Sequence, residues 1–373
     1  MKKISVILSV LLFCTLLHPF TAHAEGAVSV LLIEVNTGCV LSEDNADQHL
    51  PIGSLAKLMT AYLTALRIED GTFTTETVLS AGDCVWEVQG ASIWLEPGDT
   101  VTVDELLMGL LVGNANDAAA VLAERISGSA DKFVMDMNAA AFDLGMRESR
   151  FTSPQGYDDP MAWSTARDMG LLACAVLHCD VLKPYLTTWR TVIREDSVPA
   201  ELVNENTLTR TLDDCRGLKA AHSADAGACI IAAAQREDMV CAAIVLGCED
   251  EDERFAIAKR LLNNAFSSYQ LSVPGFSEEF LLPLKVENGT ENAVLLEVSA
   301  LPLLAIPAGA NPEAVIVLPE YCTAPVRKGS QVGAVYFYHG DTLLCETALL
   351  AAEDVSVMTH GAAWKLVLQA FFS

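Results

Sequence analysis

Two strand-like runs of mostly apolar residues lie near the start of the chain. The first run covers positions 28–35, the turn residues Asn36, Thr37 and Gly38 follow, and a second apolar run begins at positions 39–41. Two short apolar runs joined by a tight polar turn are typical of a β-hairpin. The pattern therefore predicts an antiparallel hairpin as the first element.

Helical periodicity dominates the chain from there to about residue 270. Apolar residues recur at intervals of three and four around Ser54, which predicts an amphipathic helix. Further helices are predicted at 103–112, 117–126, 131–144, 164–177 and 254–266, and strands at 228–234 and 239–246. Strands at both ends with helices between them predict one α+β domain over 25–270, in which an antiparallel sheet holding the first and last strands is flanked by helices.

The composition changes near residue 271, where prolines separate short apolar runs. These runs lie at 294–298, 314–318, 332–338 and 342–349. Short strand-like runs interrupted by prolines are typical of a small all-β domain, which we place at 271–356.

Both ends of the chain carry apolar segments with other predicted roles. Lys2 and Lys3 precede an apolar run at 4–17, and small residues at 22–24 suit a cleavage site. Positions 1–24 therefore predict a signal peptide and an exported, extracytoplasmic protein. The segment 357–373 is too short to cross a bilayer. Lys365 and Gln369, four apart, could share a polar face while the apolar residues Trp364, Leu368, Phe371 and Phe372 enter the lipid, which predicts an amphipathic tail on a membrane surface. A tail docked on its own domain is the alternative.

Composition excludes some classes of partner. The formal net charge is −26 at pH 7, whereas nucleic-acid binding requires clustered Lys and Arg, so no nucleic-acid partner is expected. The eleven cysteines are scattered without the spacing of a zinc site. We expect no metal or organic cofactor, and cysteines that behave as small hydrophobic residues.

The most informative pair is Ser54 and Lys57, three positions apart at the start of a predicted helix. Residues at i and i+3 of a helix are neighbours, so the hydroxyl and the amine can meet. A lysine can accept the serine proton only when burial or a nearby cation lowers its pKa. The pair predicts acyl-enzyme chemistry without histidine, and chance spacing of two solvated side chains is the alternative.

Two further polar motifs follow. Asn114 and Asn116 lie where the helix at 103–112 stops, so they could face a cleft or cap the next helix. Lys219 lies shortly before the strand at 228–234, where it could present its amine to a substrate or protect an exposed sheet edge. The residues alone leave both choices open.

In this order, the motifs resemble the S-x-x-K, S-x-N and K-T-G motifs of penicillin-binding proteins and serine β-lactamases. The surrounding sequence is similar to that of low-molecular-weight penicillin-binding proteins of the D-alanyl-D-alanine carboxypeptidase family. The similar strings lie at 30–38, 45–47, 54–60, 116–118, 164–169, 204–206, 226–227 and 324–329. The resemblance implies a penicillin-binding/β-lactamase-like domain followed by the small β domain.

The resemblance also implies a chemistry. Ser54 would attack the carbonyl of the terminal D-Ala–D-Ala bond of a peptidoglycan stem peptide, and Lys57 would accept its proton. The backbone N–H groups of Ser54 and His222 would form the oxyanion hole. Asn116 would hold the peptide amide, and Lys219 would lower the pKa of Lys57 and attract the substrate carboxylate. β-Lactams would acylate the same serine and remain bound.

The chain departs from the family pattern on the side that recognises substrate. Asn114 occupies the substrate-binding position of the S-x-N serine, and an amide cannot relay a proton as a hydroxyl does. Ala220 and Ala221 replace the threonine and glycine of K-T-G. Acidic residues at 249–253 stand where the family often has a cation, which disfavours a carboxylate substrate unless Arg254 faces inward.

Two functions follow from these observations. The intact Ser54–Lys57 pair favours a serine-type D-Ala–D-Ala carboxypeptidase that is slow or altered in specificity. A catalytically lapsed homologue that binds the cell wall or regulates its synthesis is the alternative. A β-lactamase is disfavoured, because no E-x-x-L-N string supplies a deacylating base.

Overall fold

The computed structural model describes residues 29–86 and 88–364, which fall into two compact units divided between Tyr269 and Gln270. The helices of the first unit are α1 (Lys57–Glu69), α2 (Val103–Leu111), α3 (Asn116–Ser127), α4 (Ala130–Asp143), α5 (Ala166–His178), α6 (Lys183–Thr187), α7 (Leu208–Thr211) and α8 (Glu253–Ser268). Its strands are β1 (Ser29–Glu34), β2 (Val40–Asp44), β3 (Val78–Ser80), β4 (Thr100–Thr102), β5 (Arg190–Ile193), β6 (Ala200–Val203), β7 (Cys215–Ser223), β8 (Gly227–Arg236) and β9 (Met239–Cys248).

A five-stranded antiparallel sheet in the order β2-β1-β9-β8-β7 forms the centre of the first unit. Strands β1 and β2 form the predicted hairpin, and β1 pairs with β9 along its whole length. The prediction that the first and last strands of this domain share a sheet is therefore confirmed. Strand β7 forms one edge of the sheet, so one side of its backbone is left for partners outside the sheet.

Both faces of this sheet are covered, which explains why its strands read as nearly continuous apolar runs. Leu31 and Ile33 of β1 join the main hydrophobic core with α1 to α5, whereas Val30 and Leu32 are buried although they point to the other face. Helix α8 packs on β8 and β9 on that second face. Among the residues that the structure describes, the sheet therefore separates the large helical layer from α8.

Two short pairs of antiparallel strands in the first unit were not predicted from the sequence. Strands β3 and β4 pair, and so do β5 and β6. The second hairpin is fastened by Arg194, whose guanidinium donates to the main-chain oxygen of Ile93 at 2.9 Å and to the carboxylate of Asp99 at 2.7 Å. Strands of three or four residues depend on such tertiary contacts, so periodicity does not reveal them.

The second unit is all-β, as predicted. Its strands, from the boundary onward, are β10 (Tyr269–Ser272), β11 (Leu284–Glu287), β12 (Ala293–Val294), β13 (Leu296–Val298), β14 (Leu304–Pro307), β15 (Glu313–Val317), β16 (Cys322–Thr323), β17 (Gln331–His339) and β18 (Thr342–Ala351). A four-stranded sheet has the order β13-β18-β17-β15, and a three-stranded sheet has the order β12-β11-β16. Each is backed by a small hydrophobic cluster.

The predicted signal peptide at 1–24 and positions 365–373 of the predicted tail lie outside the described residues. Within the part that is described, Trp364 is 68% exposed. No single helix in that part is long and apolar enough to cross a membrane; only two helices bent by 86°, Ala166–His178 with Asp180–Thr187, reach the required length and composition together.

Candidate active site

Ser54 lies in a short 3₁₀ turn, Gly53–Ala56, that leads directly into α1. The pattern predicted Ser54 at the start of a helix, and the structure places it in the turn that immediately precedes α1. The turn forms because Gly53 has a φ of +49° and the N–H of Leu55 bonds back to the oxygen of Ile52. In a 3₁₀ turn the side chains at i and i+3 eclipse each other. Ser54 and Lys57 are therefore brought to the same face.

Lys57 begins α1 and is almost completely buried, with 1% of its surface exposed. Its Nζ donates to the main-chain oxygen of Gln155 at 2.9 Å. One turn later, Thr60 donates through Oγ1 to the oxygen of Pro154 at 2.8 Å. The loop that holds these two carbonyl oxygens therefore orients the amine of Lys57.

Two effects hold the pKa of Lys57 well below its ordinary value. Burial is the larger effect, because it removes water from the charged form, and the positive charge of Lys219 is the second. The carboxylate of Glu205 opposes both. Lys57 therefore favours its neutral form more than a solvated lysine does, which is the condition set above for a lysine base.

Lys219 supplies this charge from β7, the edge strand, which packs against the Ser54 turn. Only 2% of its surface is exposed, so it is not the solvated lysine of a protected sheet edge. Burial lowers the pKa of Lys219 to about 8, and Glu205 again opposes the shift. At neutral pH Lys219 remains the cation of the pair.

Asn116 is the first residue of α3 and is largely buried. Its Nδ2 donates to the main-chain oxygen of Gln89 at 2.6 Å, and its backbone N–H bonds to the oxygen of Ala91. The N-cap position belongs to Ala115, which makes no side-chain capping bond. The capping explanation for Asn114 and Asn116 is therefore wrong, and both are left available for the cleft.

Asn114 adopts the left-handed conformation, with φ of +55°, between α2 and α3. Its Nδ2 donates to Oε1 of Glu205 at 3.1 Å. The two segments come this close because Gly113 has no side chain; a Cβ there would lie 2.7 Å from Leu202 of β6. The structure thus links Asn114 of the second motif to Glu205, the acid that follows β6.

Glu205 is the site residue that the sequence analysis missed as an individual. Its backbone is held on both sides, because Asn204 Oδ1 accepts from the N–H of Asn206 and Asn206 Oδ1 accepts from Leu208. Such turns at asparagine are common. The available signal was a lone acid between two asparagines in a string that already resembled the family.

His222 lies on β7 three residues after Lys219, and its side chain is exposed. Its Nδ1 lies 3.7 Å from the carboxylate of Glu251. Arg254 does face inward, with 4% exposure, but it donates to the main-chain oxygens of Ala221 and Cys229 and lies 3.6 Å from Glu251. The inward turn of Arg254 therefore supports the strand rather than presenting a free cation.

Three polar atoms of the predicted site share one property. They are buried, and among the described residues they have no hydrogen-bond partner: Ser54 Oγ, Asn114 Oδ1 and Asn116 Oδ1. Buried polar groups without partners are uncommon in proteins and tend to occur where function requires them. These atoms can therefore accept hydrogen bonds from a ligand.

Comparison with known proteins identifies the family. Residues 18–250 match the family of D-alanyl-D-alanine carboxypeptidases (peptidase family S11), which is more than half of the chain. The chain belongs to this family. Residues 281–357 match the C-terminal domain of penicillin-binding protein 5.

Individual members of the family resemble the chain over most of its length. D-alanyl-D-alanine carboxypeptidase DacF of Bacillus subtilis is 29% identical over 336 residues, covering 89% of this chain and 86% of the relative. Penicillin-binding protein 5 of Haemophilus influenzae is 25% identical with a TM-score of 0.79, covering 89% and 98%. Ampicillin-bound penicillin-binding protein D2 of Listeria monocytogenes is 29% identical with a TM-score of 0.58, covering 65% and 97%. The predicted penicillin-binding fold is confirmed.

Proposed function

We propose that the chain is a serine D-Ala–D-Ala carboxypeptidase that trims peptidoglycan stem peptides through an acyl-enzyme on Ser54. The observation that supports this most is the burial of Lys57 under the positive charge of Lys219, because it favours a neutral amine three residues after Ser54. Family membership supports the same activity.

The first half-reaction starts at Ser54 Oγ. The lone pair of the neutral Lys57 amine takes the hydroxyl proton while an N–H of that amine remains on the oxygen of Gln155. The oxygen attacks the carbonyl carbon of the scissile bond, and the N–H groups of Ser54 and His222 would stabilise the oxyanion. Collapse of the intermediate breaks the C–N bond, and the proton held by Lys57 passes to the amine of the departing D-Ala.

The second half-reaction reverses these roles. Lys57, again neutral, accepts a proton from water, and the hydroxide attacks the ester carbonyl. Breakdown releases the shortened peptide, and the proton returns to Ser54 Oγ. Asn116 Oδ1 is the acceptor proposed for the peptide N–H, because it is buried and has no partner within the described chain.

Three replacements argue for a slow or selective enzyme. Asn114 cannot shuttle a proton to the leaving amine, so that proton must come from Lys57 directly. Ala220 and Ala221 are fully buried and offer no hydroxyl to a substrate carboxylate. The loss of one hydrogen bond to a charged group costs about 1.5–3 kcal/mol, or roughly ten- to a hundredfold in rate.

The proposal includes a place of action. A stem peptide lies outside the cytoplasmic membrane, so the proposed activity requires an exported protein. The predicted signal peptide at 1–24 and the predicted membrane-surface tail at 357–373 are therefore part of the proposal. Fractionation of the expressing cell would test this part separately. Recovery of the mature protein from the cytoplasm would contradict it.

Covalent labelling tests the acyl-enzyme. Purified protein is incubated with a fluorescent penicillin, and Ser54→Ala serves as the matched control, since an ampicillin-bound relative exists. We expect label on the wild-type protein alone, together with D-Ala release from a stem pentapeptide. Label without release of D-Ala favours the alternative of a wall-binding homologue. No label on the wild-type protein contradicts the proposal.

A further inference from the structure

The substrate-recognition side of the site has a distinctive electrostatic arrangement: carboxylates of the chain itself act on its basic groups. Glu205 is the acid that acts on both Lys219 and Lys57. Glu251 lies 3.7 Å from His222 Nδ1 and 3.6 Å from Arg254 Nη2. An incoming carboxylate would therefore meet Lys219 and Arg254 with part of their charge offset by Glu205 and Glu251.

The carboxylate of Glu205 is exposed to solvent but is attached to the site by a hydrogen bond. Oε1 accepts from Asn114 Nδ2 at 3.1 Å, so it is attached to the second motif. The side chains of Asn204 and Asn206 fix the backbone on either side of it. Its charge is thus part of the recognition surface in the folded protein.

Other groups that could bind a terminal carboxylate are turned away or missing. The guanidinium of Arg254 is buried and bound to the main-chain oxygens of Ala221 and Cys229. Ala220 and Ala221 carry no donor side chain. Lys219 is a buried lysine of the site, and Glu205 is the carboxylate that acts on it.

We propose that Glu205 sets the selectivity of this carboxypeptidase for the group beyond the scissile bond: it weakens the binding of a terminal carboxylate relative to a neutral group such as a carboxamide, so that stem peptides ending in D-Ala are bound weakly. The inference rests on the proposed function for the position of the scissile bond. At several ångströms near a protein surface, the repulsion between two carboxylates changes an affinity by about tenfold.

Binding without turnover tests this proposal. The probes are an Nα,Nε-diacetyl-Lys-D-Ala-D-Ala tripeptide with a free carboxylate and the same peptide as its C-terminal carboxamide. Dissociation constants are measured by calorimetry on Ser54→Ala and on Ser54→Ala/Glu205→Gln. We expect the carboxamide to bind about tenfold more tightly than the carboxylate to Ser54→Ala. Glu205→Gln should tighten carboxylate binding by about tenfold and change carboxamide binding by less than about twofold.

Glu195→Gln is the matched control. Glu195 is exposed and lies in the turn at the other end of the β5–β6 hairpin, so its replacement changes the net charge equally at a distance. We expect it to leave the ratio of the two dissociation constants unchanged. An equal shift in Glu195→Gln would assign the effect to overall charge and overturn the proposal.

The remaining outcomes are also decisive. A ratio that Glu205→Gln does not change overturns the proposal, and so does the absence of binding by either peptide at millimolar concentration. Penicillin labelling reports separately on Ser54. If Glu205→Gln shifts the ratio of the two dissociation constants and penicillin does not label Ser54, the selectivity of Glu205 is supported and the hydrolase activity is contradicted. If penicillin labels Ser54 and the ratio does not shift, the activity is supported and the role of Glu205 is contradicted.

Discussion

Nζ of Lys57 lies 2.9 Å from the main-chain oxygen of Gln155. This bond uses an N–H of the amine, so the lone pair of the neutral form is directed elsewhere. The carbonyl oxygens of Pro154 and Gln155 together anchor the first turn of α1. The loop carrying these carbonyls therefore controls the orientation of the proposed base.

Gly156, at the end of this loop, should be irreplaceable by alanine. Its φ is +75°, and a Cβ would overlap the carbonyl oxygen of Gly53 beside the nucleophile. We expect Gly156→Ala to lower stability by about 2 kcal/mol or more and to slow penicillin acylation strongly. Urea unfolding and the labelling rate measure the two effects.

Gly71→Ala is the control for the backbone strain alone. Gly71 has a φ of +79°, and nothing lies within 4 Å of a Cβ there. We expect a loss of about 1 kcal/mol and an unchanged labelling rate. Equal effects of the two substitutions would show that the contact with Gly53 is unimportant.

The acylation rate should fall as the pH rises through about 8. Below this pH Lys219 is protonated, since its pKa is about 8, and its charge attracts the carboxylate of penicillin. Above it the charge is lost, together with the attraction for an anionic substrate. Lys219→Arg should move the falling limb to higher pH, because a guanidinium stays protonated. Stopped-flow penicillin acylation from pH 5 to 10 measures both profiles, and coincident falling limbs would exclude Lys219 as the titrating group.

Lys57→Met should stabilise the protein while abolishing acylation. The folded pKa of Lys57 is lowered, so between that value and the unfolded value of about 10.4 the unfolded state binds more protons. Stability therefore rises with pH across this window, and at pH 7 the buried lysine is a cost. An apolar side chain of similar length removes this cost, and the lost bond to Gln155 offsets part of the gain. We expect a net gain of about 1 kcal/mol in urea unfolding; a less stable variant would contradict this expectation.

Asp117 should be structurally essential next to the active site. Its buried carboxylate accepts from the backbone N–H groups of Ile93 and Leu95 and from Ser92 Oγ, which shapes the segment that holds Asn116. We expect Asp117→Asn to cost about 1.5–3 kcal/mol. Asp131→Asn has the same charge change in the first turn of α4 and is exposed, so it should cost less than about 1 kcal/mol. Thermal unfolding of the pair checks the difference.

Five cysteines of the first unit, Cys84, Cys174, Cys179, Cys229 and Cys248, should be unreactive in the folded protein. Burial raises the pKa of Cys84 and Cys229 to about 11 and that of Cys174, Cys179 and Cys248 to about 12. Because the thiolate is the reactive form, alkylation by iodoacetamide at pH 8 should be on the order of a hundredfold slower than for free cysteine. Urea should remove this protection. Rapid alkylation of the native protein, located by peptide mass spectrometry, would contradict the assigned burial.

The elements that were predicted correctly are those whose pattern of apolar residues is strong within the element itself. The helix predicted at 131–144 is α4, Ala130–Asp143, because its apolar face repeats over several turns before Gly145. Strands β8 and β9 were found because both faces are buried and nearly every residue is apolar. Hairpin β5–β6 was missed, because Arg194 holds it through contacts with distant segments.

The candidate site divides in the same way. Ser54, Lys57, Asn116 and Lys219 were named from spacing and family resemblance, since a motif is a local string. Glu205 was missed as an individual residue, because nothing next to it in the chain shows that it bonds to Asn114 and acts on two buried lysines. Charge interactions depend on distance in space, which a linear pattern does not contain.

The sequence by itself determined which chemical groups are present, their order, and the periodicities that form the sheet and its helices. Only the tertiary structure decided how these groups are charged. Whether Lys57 is a base depends on the exclusion of water from its amine and on Lys219, which a different strand brings beside it. The electrostatic free energy of a proton on nitrogen is set by solvent and charges within several ångströms, and folding alone assembles those surroundings.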